Sequence, residues 1–340
     1  MKLMLDVEIN SPAQKITYSD KIFLVGSCFT EHIGNSLDEM KFNVMQNPHG
    51  ILFDPASVVN SLVSYVENKQ YDENDLFQLN EVWNSWEHHS RFSALDAKDA
   101  VSSINQSQQA AHEFLKHADW IIVTLGSSFS YRLRKDLTPA DVYGKANGPF
   151  LPVANCHRAP AGWFSKHLME IEETITLLDT CYHRLKQFNP RLKILFTVSP
   201  VRHLRDGVVE NNRSKARLIE AVHHITGKFD NLFYFPAYEL VIDVLRDYRF
   251  FDKDFAHPNY MATTYVLEQF AEYCLDASAR DLMKEIRKLV LARRHRPLQP
   301  ETNAHRKFLQ ANHDAAVALK ERYPFLQLNE EIDWFRSQIG

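Results

Sequence analysis

The chain has 340 residues, of which 45% are hydrophobic and 24% are charged, so its composition is that of a soluble globular protein with room for one large domain and a smaller appendage. Its net charge of −4 gives no indication that nucleic acid or an anionic membrane surface is a partner. The four cysteines have no CxxC spacing, which predicts free thiols. The N-terminus has no signal-peptide pattern and no apolar run reaches roughly 18 residues, so we expect a cytoplasmic protein without a membrane span.

The first predicted strand leads into a tight turn that carries a serine. An apolar run at residues 21–25 is followed by Gly26 and Ser27, and apolar residues then recur at helical spacing. In an open parallel sheet, ligands bind outside the carboxyl ends of the strands, where a helix N-terminus offers free N–H groups. Ser27 is therefore either a nucleophile or simply the N-cap of the helix, and the turn by itself favours the cap.

Four further apolar runs, each ending near Gly or Pro, predict strands that are buried on both faces. They lie at residues 42–45, 120–125, 194–198 and 232–235, and helical patterns lie at residues 56–68, 100–118, 163–188 and 212–228. This alternation predicts an α/β fold with a doubly wound, five-stranded parallel sheet. The connections at residues 70–98 and 130–162 are longer than a crossover needs, and long loops of this kind usually carry function.

The last part of the chain changes character. From about Asp281 onward only helical patterns occur, at residues 281–295 and 304–322. We therefore expect an α/β domain at residues 1–280 and an α-helical C-terminal appendage at residues 281–340.

An aspartate and a histidine stand three residues apart after the last predicted strand. Asp254 can accept a hydrogen bond from one imidazole nitrogen of His257 and leave the other nitrogen facing a substrate. Pro258 favours an extended or turn geometry at His257, so the pair is expected on a loop. Together with Ser27, the pair would supply a nucleophile, a base and an orienting acid. Taken alone, Asp-x-x-His is equally typical of a surface ion pair.

Several short motifs resemble the GSCFA domain family. The sequence GSCFT at residues 26–30 is similar to the family signature, with Thr30 in place of alanine. The other matching stretches are residues 47–51, 88–93, 124–126, 155–157 and 197–203. The family in turn resembles the SGNH (GDSL-like) hydrolases, which are serine esterases and lipases on a flavodoxin-like sheet. The resemblance implies that Ser27 is the nucleophile, His257 the base and Asp254 the orienting acid, and that the Gly50 N–H joins the oxyanion hole.

The chain departs from the SGNH pattern after the third predicted strand. SGNH enzymes usually place an asparagine two residues after the glycine that closes this strand, whereas here Gly126 is followed by Ser127 and Ser128. A working enzyme would need another oxyanion donor. Asn155 is the first candidate because its amide is chemically the same donor, and His157 is the second. The alternative for Asn155 is that it only holds its own loop through backbone hydrogen bonds.

Other polar residues near the predicted strand ends have two interpretations each. His88, His89, His157 and His203 could ligate a metal, but adjacent histidines on a strand point to opposite faces, so we expect no metal and no cofactor. We instead expect these histidines to shape the pocket, and we count His89, Gly126 and Ser128 among the substrate-binding candidates. Arg202 either binds a substrate carboxylate or phosphate or forms a structural ion pair. Cys28 is a second possible nucleophile, although a packed small side chain is favoured.

These observations predict a serine hydrolase that acts on an ester of a small molecule, such as an acyl or acetyl ester of a carbohydrate. The competing hypothesis is a non-catalytic binding or scaffold protein that keeps the same fold, and the missing asparagine favours it. The sequence does not indicate an oligomeric state.

Overall fold

The computed structural model describes residues 5–139, 142 and 152–339. In these residues the strands are β1 (Lys21–Gly26), β2 (Asn43–Gln46), β3 (Phe77–Leu79), β4 (Val82–Asn84), β5 (Trp120–Leu125), β6 (Phe129–Leu133), β7 (Phe164–Leu168), β8 (Lys193–Val198) and β9 (Leu232–Tyr234). The longer helices are α1 (Cys28–Glu39), α2 (Pro55–Glu67), α3 (Ala97–Lys116), α4 (Ile171–Phe188), α5 (Val208–Lys228), α6 (Tyr260–Cys274), α7 (Ala277–Arg294), α8 (Asn303–Arg322) and α9 (Asn329–Ile339).

Five of the strands form one parallel sheet in the order β2-β1-β5-β8-β9. This is the flavodoxin-like order, and it confirms the predicted doubly wound five-stranded sheet. Successive side chains along β1 enter different cores, because Ile22 and Leu24 pack with α1, α6 and α7 while Phe23 and Val25 pack with α2, α3, α4 and α5. Burial on both faces explains why the central strands are continuous apolar runs.

The register of the sheet brings the ends of three strands to one level. Gly26 of β1 pairs with Thr124 of β5, and Thr124 pairs with Thr197 of β8. Because all five strands are parallel, the segments that follow these residues leave the sheet at the same carboxyl edge. Ser27 directly follows Gly26, so the predicted nucleophile lies at this edge.

Two antiparallel strand pairs lie outside the central sheet. Strand β3 pairs with β4, and β6 pairs with β7. The helix predicted at residues 163–188 is wrong at its start, because Phe164–Leu168 forms strand β7 and α4 begins only at Ile171. Pairing with β6, which is distant in sequence, overrides the local helical pattern there.

The C-terminal helices pack directly on the α/β layers. The expected domain boundary at residue 281 falls inside α7, which runs without a break from Ala277 to Arg294. Leu282 and Ile286 of this helix belong to the same apolar cluster as Ile22 of β1. A 2.7 Å ion pair between Lys41 and Glu331 adds a polar contact between the two regions. Within the described part of the chain, no helix combines the length and the hydropathy needed to span a membrane.

Candidate active site

The turn between β1 and α1 requires a glycine before the serine. Gly26 has a φ angle of +143°, and a Cβ atom at this position would overlap the Thr124 carbonyl oxygen. The Gly26 N–H donates to Asn47 Oδ1 at 2.9 Å, and the Gly26 carbonyl accepts from the Leu52 N–H at 3.0 Å. The backbone that carries Ser27 is therefore held from two sides.

Ser27 occupies the N-cap position of α1 but does not act as a cap. Its side chain makes no capping hydrogen bond, whereas Asp54, Asp96 and Asn259 each cap a helix through their side chains. The Ser27 residue is only 2% exposed, and its Oγ has no hydrogen-bond partner. Leaving a buried polar group unpaired costs about 1–3 kcal/mol, so this hydroxyl calls for an explanation other than helix capping.

Asp254 and His257 form a hydrogen-bonded pair on the loop before α6. His257 Nδ1 lies 2.6 Å from Asp254 Oδ2, and Asp254 Oδ1 accepts from the Ala256 and His257 N–H groups. Hydrogen bonds from the His257 N–H and ring, followed by the Ala256 N–H, hold the pKa of Asp254 well below its usual value. The carboxylate is thus ionised and must accept, so Nδ1 is the donor and Nε2 is the nitrogen left for other contacts.

The loop after β8 attaches this pair to the carboxyl edge of the sheet. The Arg202 N–H donates to the Ala256 carbonyl at 3.0 Å, and its side chain donates to the Phe255 carbonyl at 3.2 Å. The Arg202 guanidinium also lies 4.1 Å from the centre of the Phe251 ring. Arg202 therefore has a structural role. Its contacts are with two carbonyl groups and a ring, whereas the structural role expected from the sequence was an ion pair.

His203, a half-buried histidine that was expected from the sequence to shape the pocket, lies near Ser27. A Cβ atom built on Gly126 would be 3.3 Å from Ser27 Cβ and 3.3 Å from His203 Nε2. Ser27 Cβ and His203 Nε2 can therefore be separated by at most twice 3.3 Å. The His203 ring also packs on Phe53, with 5.2 Å between ring centres. Burial lowers the pKa of His203 to about 4, and the positive charge of Lys215 contributes in the same direction.

Lys215 of α5 was not singled out in the sequence, and it ties two strand ends together. It is 1% exposed, and its Nζ donates to the Gly126 carbonyl at 2.5 Å and to the Ser199 carbonyl at 2.6 Å. Burial lowers the pKa of this ammonium group to about 7. Nothing in the local sequence marks Lys215, because a lysine in a helical pattern normally lies on the solvent side.

The Gly50 N–H, which was expected to join the oxyanion hole, and the N–H of Ser27 itself are both already engaged. The Ser27 N–H donates to the Thr124 carbonyl at 3.1 Å, and the Gly50 N–H donates to the Asn47 carbonyl at 2.7 Å. Gly50 has a φ angle of +85°, and His89 packs where a Cβ atom at Gly50 would lie. The Thr30 N–H in the first turn of α1 is engaged as well, since it donates to the Ser27 carbonyl at 2.8 Å.

The residues proposed to replace the missing asparagine make local hydrogen bonds. Ser128 is fully buried, and its hydroxyl donates to the Ser214 carbonyl at 3.1 Å on α5. Asn155 Oδ1 accepts from the His157 N–H at 2.8 Å, and His157 Nε2 lies 2.7 Å from the Ser85 carbonyl oxygen. This is the loop-holding arrangement that was the alternative for Asn155. Among the described residues, no hydrogen bond connects Asn155 with the Ser27 turn.

The remaining histidines and the nearby thiol have structural surroundings. His88 is buried, stacks on His49 with 4.0 Å between ring centres, and shares a 2.8 Å hydrogen bond with Ser85 through Nδ1. No group of three or more potential metal ligands occurs in residues 5–139, 142 and 152–339. Cys28 packs against the apolar core, and burial raises the pKa of its thiol, so this cysteine lacks the activation that a nucleophilic thiolate needs.

Comparisons with known proteins add the following similarities. The model of the GSCFA family matches residues 21–270, and the model of the GSCFA domain protein C-terminal domain matches residues 286–340. No curated protein matches the chain. Among solved structures, a carbohydrate esterase family 3 protein from Talaromyces cellulolyticus is similar at 9% sequence identity and a TM-score of 0.36, over 79% of this chain and 99% of that chain.

Proposed function

We propose that this chain, which belongs to the GSCFA family, is a serine hydrolase that cleaves esters with Ser27, His257 and Asp254. The observation that carries the proposal is the Ser27 hydroxyl, which lies at a helix N-terminus without capping the helix or bonding to any other group. A hydroxyl that is kept unpaired at the carboxyl edge of a parallel sheet is suited to attack a bound substrate. The Asp254–His257 pair supplies a base that can take the serine proton, because the hydrogen bond to Asp254 uses Nδ1 of His257 and leaves Nε2 for other contacts.

The proposed reaction proceeds through an acyl-enzyme. His257 Nε2 takes the Ser27 proton as Oγ attacks the ester carbonyl, and the ionised Asp254 stabilises the imidazolium that forms. The imidazolium returns the proton to the leaving alcohol. Water then attacks the acyl-enzyme, gives a proton to His257, and releases the acid as that proton returns to Ser27.

The surroundings of His257 favour a substrate with a flat, partly apolar alcohol portion. Tyr248 and Phe255 are exposed and meet edge to face, with 5.5 Å between ring centres. Tyr260 is also exposed, three residues after His257. Exposed rings beside a base can stack on the apolar face of a sugar ring, so we propose an acyl or acetyl ester of a carbohydrate or a related small molecule.

A non-catalytic binding protein is the second candidate, because the Ser27 and Gly50 N–H groups are both engaged in backbone hydrogen bonds. Treatment of the whole chain with a fluorophosphonate probe, followed by peptide mass spectrometry, distinguishes the two. A hydrolase is labelled at Ser27 and loses the label in Ser27→Ala, whereas Ser36→Ala, a control on the exposed side of α1, keeps it. A folded wild-type chain that takes up no label at Ser27 would favour the binding protein.

A further inference from the structure

We propose that His203 is a catalytic residue of this site and that its Nε2–H donates a hydrogen bond to the substrate carbonyl oxygen as negative charge develops there. This inference rests on the proposed serine hydrolase function. It assigns to the loop after β8 the donor role that an asparagine after β5 would otherwise perform. The reaction type remains ester hydrolysis, and the inference concerns only how its oxyanion is stabilised.

The position of His203 supports this role. Ser27 Cβ and His203 Nε2 both lie against Gly126, since a Cβ atom there would be 3.3 Å from each of them. A carbonyl carbon attacked by Ser27 Oγ would occupy the space next to Ser27, and its oxygen could then approach His203 Nε2. Gly126 permits this close approach of the two residues, because a Cβ atom there would also be only 2.9 Å from Phe53 Cβ.

The ring of His203 is held in place by its neighbours. The His203 N–H donates to Asn211 Oδ1 of α5 at 2.9 Å, which fixes the backbone of the loop. Phe53 packs against the ring, and the Arg202 N–H anchors the preceding residue to the Ala256 carbonyl. A donor that is already oriented before the reaction does not have to reorganise when charge develops, which is the condition for strong electrostatic catalysis.

The electrostatic surroundings separate the two histidines into different roles. A general base must become an imidazolium, and burial together with the charges of Lys215 and Lys166 disfavours that form of His203. Asp206 acts in the opposite direction, whereas a positive charge on His257 would act in the same direction as the two lysines. A neutral imidazole still carries one N–H, so His203 can donate without changing its protonation state. His257 has the Asp254 carboxylate at 2.6 Å and is the histidine that can stabilise a positive charge.

The role can be tested with three variants of the full chain, assayed on p-nitrophenyl acetate. His203→Phe keeps an aromatic ring against Phe53 but has no N–H, whereas His203→Gln keeps an amide N–H near the position of Nε2. We expect the Phe variant to lose about 10²–10³ in kcat with a KM within about threefold of wild type. We expect the Gln variant to stay within about tenfold of wild type, because an amide can donate but cannot act as a base. His183→Phe on α4 is the exposed control.

The outcomes separate this inference from the proposed function. If a fluorophosphonate labels Ser27 in wild type, and a folded His203→Phe variant has an unchanged kcat, the role of His203 is overturned but the proposed function is not. An equal loss in the Phe and Gln variants would also overturn it, since a donor role predicts rescue by the amide.

Asn155→Ala, measured in parallel, should leave kcat within about threefold of wild type, and a large loss there would assign the donor to Asn155. If wild type is neither labelled nor active, both proposals fail. If His203→Phe does not fold, His203→Leu serves the same comparison.

Discussion

His257 donates from Nδ1 to Asp254 Oδ2 over 2.6 Å, and the side chains of both residues are open to solvent, at 44% and 50% exposure. Ser27 lies at the same edge of the sheet but is only 2% exposed. The proposed base is thus open to solvent, whereas the proposed nucleophile is almost fully enclosed. The enclosure of the Ser27 hydroxyl favours a small acyl group over a bulky one.

The first prediction separates the two adjacent nucleophile candidates. Ser27→Ala should abolish ester hydrolysis, whereas Cys28→Ala should retain most of it, because burial keeps the Cys28 thiol protonated. Steady-state kinetics on p-nitrophenyl acetate, with circular dichroism as a check on folding, measures both. Inactivation by Cys28→Ala alone in a folded protein would identify the thiol as the nucleophile.

The second prediction concerns the space above Gly126. Gly126→Ala would place a methyl group 3.3 Å from Ser27 Cβ and His203 Nε2, and 2.9 Å from Phe53 Cβ. We expect kcat/KM to fall by about 100-fold or more, because the methyl group would displace Phe53, Ser27 or His203 and so disturb the alignment of the reacting groups. Gly162→Ala is the matched control, since no neighbouring atom lies within 4 Å of a Cβ atom at Gly162. Unchanged kinetics in the Gly126 variant would place the reacting carbonyl elsewhere.

The third prediction concerns the glycine before the nucleophile. Gly26→Ala introduces a side chain at a φ angle of +143°, where it would overlap the Thr124 carbonyl oxygen. We expect the free energy of unfolding to fall by several kcal/mol, at least about 2 kcal/mol, as measured by urea denaturation. Gly227→Ala in α5 has open space around the new methyl group and should be neutral or stabilising by about 0.5–1 kcal/mol. A Gly26 variant as stable as wild type would contradict the geometry of this turn.

The fourth prediction is a pH dependence that originates in Lys215. Its pKa is about 7 in the folded chain and has the ordinary value of 10.5 when the chain unfolds. Between these two pH values the unfolded chain binds more protons than the folded chain, so the contribution of Lys215 to the free energy of unfolding rises with pH. The unfolding free energy of wild type minus that of Lys215→Met should therefore increase over this window, by up to about 1.4 kcal/mol per pH unit.

Chemical denaturation at a series of pH values measures this difference. Lys228→Met in the same helix is the control, because Lys228 is half exposed whereas Lys215 is fully buried. A wild-type minus Lys215→Met difference that is flat or falls with rising pH would show that Lys215 stays charged in the folded protein.

The sequence by itself determined the central sheet and two parts of the candidate site. The five apolar runs predicted the five strands to within about two residues, because burial on both faces leaves a local signature of consecutive apolar side chains. The turn at Ser27 and the Asp254–His257 spacing are also local, since each depends on residues within three positions of one another. The hydrogen bond between Asp254 and His257 is present for this reason.

Only the tertiary structure decided which groups meet around Ser27. His203 and Lys215 reach Gly126 from the loop after β8 and from α5, and no spacing in the sequence encodes that approach. In the same way, the Ser27 N–H is engaged because Thr124 of β5 lies beside it, and residues 164–168 form a strand because β6 lies beside them. Contacts between distant segments depend on how the layers pack, and local periodicity carries no information about the distances that result.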